Sequence, residues 1–486
     1  MRLLTFLLLL PLLLIAGCSD NQNDWQQLAK ADLDFIKKTI ENNHPGYFDT
    51  ENPEFRTQLN QSYKVAIDQL KYVESADALF NLEHEFIASF ADVHFTLQPR
   101  FQSLNKTWAG MRIERRNGQY IVAKKATDWP INLPKVGAVL TSCDGIDIEK
   151  IMDSDVLRFR YANYTDEYPR YKYASKLLID DRVGFKTRFE ACVFAHDQAE
   201  QHYQLVWKGY QHLDSDWDAS IPLPDDFYVK EFDYTNWWVR ISSFDFVESS
   251  SSKLSILIDD LNRTTLDDDD TVVFDVRGNG GGYSGHGIEF LKAIYGKENF
   301  AALLRHAYND KQTQAMWRAS EGNIAAVKDK LANVSDENTS IKKYYELMIE
   351  KMERAYRNGE NYAVQPTNGV VGGPLEIQND LDKIVKKSPE ILVLTDYFCA
   401  SACLDFVALV KLMPKARHIG LTTSADTRYN ESRLLELPSK LGFIQIPQKI
   451  MAPRGPFNPD EKFTGDINSV DQLKEWIRTI SKNNFY

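Results

Sequence analysis

Two short apolar runs set what this chain can fold into. TVVFDV at residues 271–276 and EILVLTD at residues 390–396 are unbroken by polar alternation, the pattern of strands covered on both faces. Each delivers the chain into small residues and then an apolar, helix-like stretch: RGNGGGYSG before GIEFLKAIYG, and YFCASAC before LDFVALVKLM. Buried strands alternating with helices predict a layered α/β domain around a largely parallel sheet. WWVRISSF and SKLSILIDDLNRTT extend the pattern upstream, and RHIGLTT, RLLELP and GFIQIP add strands downstream.

Ahead of this domain the periodicity is helical. DLDFIKKTIENNHPGYF places Leu33, Ile36 and Ile40 on one face before His44-Pro45, and ADALFNLEHEFIASFADVHFTL repeats the spacing, predicting a helical domain over 25–100. Over 105–160, YIVAKKA and LPKVGAVLTSCDGIDIEKIM resemble the later part of a PDZ module, in which a strand edge can take an extended peptide. An unrelated small β domain is the alternative. The α/β domain spans 230–486, interrupted by a charged, helix-like insertion at about 309–360.

The chain begins MRLLTFLLLLPLLLIAGCSD, a basic residue and an apolar run ending in small residues, as a secretory signal does. Pro11 and the shortness of the run argue against a spanning helix. Ile15-Ala16-Gly17-Cys18 resembles a bacterial lipobox, which implies a signal peptide over 1–18 and lipidation of Cys18. That places the protein at the cell envelope facing the periplasm, with Ser19 favouring the outer membrane; a plain cleaved signal or an uncleaved anchor are the alternatives. The net charge of −12, without a basic stripe, argues against nucleic acid as a partner. Cys143, Cys192, Cys399 and Cys403 remain, with disulfides permitted and their pairing open.

The glycines of Asp275-Val276-Arg277-Gly278-Asn279-Gly280-Gly281-Gly282 leave backbone N–H groups unobstructed, as a phosphate cradle or an oxyanion hole requires, although a purely structural turn reads the same way. The segment lacks a P-loop ending and the spacing of a dinucleotide fingerprint. Ser401 lies where a strand turns sharply into a helix, a place that exposes a nucleophile and aims the N–H of Ala402 at a reacting carbonyl. Small residues also occur wherever backbones pack closely.

Taken together and in this order, the two segments resemble the tail-specific, carboxyl-terminal-processing and tricorn-like serine peptidases. VRISSF, HIGLTTS, LELPSKLGFIQIP and PFNPD extend the likeness over about 234–465. It implies a ClpP/crotonase-like domain, a Ser401 nucleophile, and an oxyanion site built from Ala402 and the Gly280–Gly281 turn. Two departures bear on the proton. Where the processing branch has a lysine this chain has Asp426, and an acid cannot replace a neutral amine. The tricorn-like branch takes a histidine from upstream, and Asp92-Val93-His94 is similar to its Asp-x-His stretch. His94 is therefore the expected base, since imidazole titrates near neutral pH. His44 and His84 compete with it, and His286, just beyond the glycines, is placed to contact substrate. The segment Met451-Ala452-Pro453-Arg454-Gly455 has no carboxylate where that branch has a glutamate, which leaves Glu431, or Asp92 as the group orienting His94.

Cys399 and Cys403 are expected as buried small residues. A disulfide between them is the next reading, one that strains the turn holding Ser401, and a zinc site would need two further ligands. The expectation is a lipid-anchored serine endopeptidase acting on proteins or peptides, requiring no metal or organic cofactor. The alternatives are a catalytically silent peptide-binding lipoprotein and a cysteine hydrolase using Cys399 or Cys403.

Overall fold

The computed structural model describes residues 21–100, 106–162, 167–181, 183–184, 188–197, 199–209, 227–233, 236–245, 248–307, 315–335, 339–365 and 388–481. Cys18, its apolar leader and Ser19 lie outside the described residues.

A six-stranded sheet organises the α/β domain in the order Phe227–Asp233, Asn236–Ile241, Thr271–Asp275, Glu390–Thr395, Ala416–Gly420, Glu461–Lys462. The first pair is antiparallel and every later pair parallel. The apolar runs are continuous because both faces are covered. Val272, Phe274, Ile391 and Val393 pack against helices Glu248–Arg263, Gly285–Tyr295 and Ala402–Val410. Val273, Leu392 and Leu394 meet Leu473 and Ile477 of the C-terminal helix Val470–Ile480 on the opposite face. This is the layered arrangement the sequence predicts, and the period-2 direction of strand side chains produces it.

The helical region does not stand apart. Helices Asn21–Asn43, Phe55–Gln69 and Ala76–Ala88 bury Leu33, Ile36, Ile40, Leu59 and Phe86 together with Leu437, Ile444 and Ile446 of the α/β half. Strand Thr96–Pro99 completes this shared unit by pairing antiparallel with Gly442–Ile446, which in turn pairs with Arg433–Glu436. The C-terminal end of the first helical segment is thereby held beside the strands that follow the glycine and serine turns.

A second sheet runs Met111–Arg116, Gln119–Lys125, Val139–Cys143, Ala191–His196, Ala199–Gln204. The small β module therefore continues past residue 160, because Cys143 pairs in register with Cys192 and the two are joined by a disulfide. The insertion is not wholly helical. Helices Glu321–Ala332 and Thr339–Arg357 are framed by strands Met316–Arg318 and Tyr362–Val364. Through Met316–Arg318 these strands join a four-stranded antiparallel sheet with Lys449–Ile450 and Tyr429–Asn430. Among the described residues, no helix is long and apolar enough to cross a membrane.

Candidate active site

Three neighbouring parallel strands release their chains at one edge of the large sheet: the glycine loop after Thr271–Asp275, the serine turn after Glu390–Thr395, and residues 421–431 after Ala416–Gly420. The carboxyl ends of parallel strands are where α/β sheets assemble sites.

Buried charge fixes the first loop. Asp275 is fully buried and bonded to Arg277 at 2.6 Å, Arg240 at 3.2 Å and the Trp238 indole at 3.2 Å. Burial opposes its ionisation, but the two guanidiniums outweigh that and hold its carboxyl below the usual range. Asp396, the first residue past the serine strand, accepts the Gly278 N–H at 3.0 Å and the Phe398 N–H at 3.0 Å, so one carboxylate ties both loops together. Burial raises its pKa. In the sequence, Asp396 is marked only as an acid at the mouth of a buried strand.

The two loops then meet. Ala400 donates its N–H to the Asn279 carbonyl at 3.2 Å. A Cβ on Gly281, whose φ is +106°, would lie 2.7 Å from Ser401 Cβ and 2.8 Å from the Ala400 oxygen, so only glycine permits the approach. Ser401 itself has φ 53° and ψ −120°, and stands at the N-terminus of helix Ala402–Val410. A non-glycine residue in that region is strained and held by its surroundings. The Gly281 N–H is already donated to Asn279 Oδ1 at 2.9 Å, which removes it as an oxyanion donor. The N–H groups of Gly280 and Ala402 donate to no described residue, and Gly280 is exposed.

His94 reaches this edge through a chain of polar contacts. Asp426 accepts the Ser401 N–H at 3.4 Å, and its neighbour Thr427 donates its hydroxyl to Asp92 Oδ1 at 2.8 Å. Asp92 Oδ1 also accepts the His94 N–H at 2.8 Å and lies 4.0 Å from His94 Nδ1. On the far side, Asp92 Oδ2 faces His44 Nε2 at 4.0 Å. His44 is fully buried against Phe55, Phe95 and Tyr429. Because its Nδ1 accepts the Gly46 N–H at 2.9 Å, the neutral ring carries its proton on Nε2, toward Asp92. Burial lowers the His44 pKa to about 3 and raises that of Asp92 to about 6 against the opposing pull of His94. His84 instead neighbours Arg160 and Asp181, and burial lowers its pKa to about 4. His286 packs edge-on to Tyr283 at the start of helix Gly285–Tyr295.

The two departures noted in the sequence turn out to be one feature. Asp426 and Arg454 form an ion pair beside Ser401, with Arg454 Nη1 on Asp405 as well and the Asp426 N–H donated to the Arg454 carbonyl at 2.8 Å. The Asp426 side chain is fully buried. Its carboxylate is thus held by a guanidinium rather than free to take a proton from serine.

Residues 238–468 match the model of peptidase family S41. The α/β domain is that of peptidase family S41. It is a serine-type peptidase, and its substrates are proteins or peptides. Two solved structures of mature CPAF share the fold. One is 13% identical with a TM-score of 0.58, covering 90% of this chain and 92% of that one. The other, complexed with lactacystin, is 13% identical with a TM-score of 0.60, covering 94% and 97%. No curated protein matches in sequence.

Ser432 donates its hydroxyl to the His94 carbonyl at 2.8 Å, while the side chain of its neighbour Glu431 turns to two lysines. Its carboxylate pairs with Lys330 of the insertion and with Lys449 at 3.3 Å. Burial pushes its pKa up, but Lys449 and Lys330 together bring it down to about 2. Cys399 and Cys403 are buried, as expected, and the second reading of the pair is the one found, since a disulfide joins them. Neither sulfur is a thiolate, which removes the cysteine-hydrolase alternative. Among the described residues, no three His, Cys, Asp or Glu side chains gather where they could hold a metal ion.

Proposed function

We propose that the chain is a lipid-anchored serine endopeptidase in which Ser401 is the nucleophile and His94 the base. Ser401 Oγ attacks the substrate carbonyl carbon while His94 Nε2, the ring nitrogen away from Asp92, takes its proton. The N–H groups of Gly280 and Ala402 receive the carbonyl oxygen as it becomes an oxyanion. His94 then protonates the leaving amine, and water repeats the sequence on the acyl-serine to restore Ser401. Asp92 orients His94 and balances its charge when protonated, and Glu431 secures the insertion.

The single observation carrying this assignment is the strained Ser401 turn, φ 53°, packed against the glycine loop at the edge where the Asp92–His94 segment arrives. Anchoring is proposed from the lipobox-like sequence ending at Cys18, which places the site at the periplasmic side of the envelope. The test is hydrolysis of fluorescently labelled, unfolded casein by the purified chain. Ser401→Ala and His94→Ala are each expected to reduce turnover at least about a thousandfold. Turnover by Ser401→Ala at the unsubstituted rate would overturn the assignment.

A further inference from the structure

The mechanism makes no use of the Cys399–Cys403 disulfide, yet the bond brackets Ser401 on both sides. It closes a ring in which Ala400, Ser401 and Ala402 are the residues enclosed. Ser401 holds a φ that an L residue adopts only under constraint. The Ser401 carbonyl accepts the Leu404 N–H at 2.9 Å, but on the N–H side of the turn the non-covalent support is thin. Ala400 N–H to Asn279 at 3.2 Å and Ser401 N–H to Asp426 at 3.4 Å both lie at the long end of hydrogen-bond distances. Both cysteines, by contrast, are firmly seated. They are fully buried in the core, Cys399 ahead of helix Ala402–Val410 and Cys403 in its first turn. The Cys399 carbonyl accepts the Ser424 N–H at 3.1 Å, and the Cys403 N–H is donated to the Ala400 carbonyl at 3.0 Å.

A disulfide restricts the unfolded chain in proportion to the logarithm of the loop it closes. Cys399 and Cys403 are only 4 positions apart, whereas Cys143 and Cys192 are 49 apart and staple two strands of the β module. The short bridge therefore restricts the unfolded chain about half as much as the long one, and in the folded protein what it constrains is the turn.

We infer that Cys399–Cys403 is a positioning clamp that holds Ser401 in its reactive conformation, and that Cys143–Cys192 has no such role. The inference rests on Ser401 being the nucleophile. With the clamp open, Ser401 relaxes toward negative φ. That rotation moves Oγ away from His94 and turns the Ala402 N–H from the oxyanion position. The peptidase is thus fully competent only with this pair oxidised.

The test measures kcat and KM on a fluorogenic casein peptide, together with the thermal midpoint, for four proteins: Cys399→Ala/Cys403→Ala, Cys143→Ala/Cys192→Ala, Ser401→Ala and the unsubstituted chain. The 399/403 pair is expected to lower kcat by about tenfold to a hundredfold, the scale of a small misplacement of reacting groups, with KM little changed and the thermal midpoint lowered less than in the 143/192 variant. The 143/192 pair is expected to lower the midpoint and leave kcat unchanged. A 399/403 variant that is folded and turns over at the unsubstituted rate, while Ser401→Ala is dead, overturns the clamp and spares the nucleophile. An active Ser401→Ala overturns both.

If the 399/403 variant does not fold, the unsubstituted protein is treated with dithiothreitol. The reagent passes two electrons and two protons to a disulfide, giving two thiols and the cyclic oxidised reagent, and mass spectrometry reports which pair has opened. Activity is expected to fall as 399–403 opens and to return on reoxidation. Unchanged activity with that pair open overturns the inference.

Discussion

The hydroxyl of Thr427 donates to Oδ1 of Asp92 at 2.8 Å, joining residues 335 positions apart. Thr427 follows Asp426, which accepts the Ser401 N–H, and Asp92 accepts the His94 N–H. A segment that ends the first helical region is thereby locked to the edge of the peptidase sheet. The shared core of Leu33, Phe86, Leu437 and Ile444 supplies the rigid support behind that contact.

Asp92 is expected to be costly to stability and needed for turnover. Burial raises its pKa from 3.8 to about 6. A raised carboxyl favours the folded state below the unfolded pKa and loses that contribution as pH rises through the folded value, so at pH 7 the ionised group costs about 3 kcal/mol. Asp92→Asn should therefore resist urea better than the parent at pH 7, with the difference vanishing toward pH 4, while its kcat on casein falls.

Gly281 and Gly280 should respond oppositely to the same change. Gly281→Ala places a methyl group 2.7 Å from Ser401 Cβ at φ +106°, whereas a Cβ on Gly280 meets nothing within 4 Å. Turnover should drop about a hundredfold or more in the first and stay within about threefold in the second, with the thermal midpoint showing that both remain folded.

Arg454→Met leaves Asp426 buried without its partner, a change that typically costs about 3–5 kcal/mol. Adding Asp426→Asn should recover most of that loss in urea unfolding. A double variant no more stable than Arg454→Met would show that the pair is not coupled.

Glu431→Gln separates a tether from a catalytic group. Its carboxyl is brought down to about 2 by Lys449 and Lys330, so its stabilising contribution is present above pH 4.5 and lost as pH falls through about 2. The side chain is 30% exposed, and the expected loss at pH 7 is about 1 kcal/mol. The kcat should stay within about twofold; a loss comparable to His94→Ala would place Glu431 in the proton-transfer machinery.

What was legible in the chain follows from the range of the forces involved. TVVFDV and EILVLTD declared a covered sheet because their neighbours on both faces must be apolar, and the turns after them marked the site edge. Ser401 stood out for a local reason, a small residue at a strand-to-helix turn. Contacts across hundreds of positions left no such trace. The hairpin Arg433–Glu436 with Gly442–Ile446 reads as two strands, but nothing local says that helices from the beginning of the chain lie on it. Asp426 and Arg454 looked like two separate losses and are one ion pair. The Asp396 bridge and the exclusion of the Gly281 N–H depend on loop geometry. Cys143–Cys192 extended the β module beyond residue 160 because a pairing register cannot be inferred from spacing alone.

Whether Ser401 is a nucleophile activated by His94 is read out by locating a fluorophosphonate adduct. The reagent is incubated with the purified chain near pH 7.5, and the modified peptide is identified by mass spectrometry. One adduct per chain is expected, on Ser401, formed rapidly in the parent, slowly in His94→Ala and not at all in Ser401→Ala. An adduct on any other residue, or labelling of the parent no faster than that of His94→Ala, would contradict it.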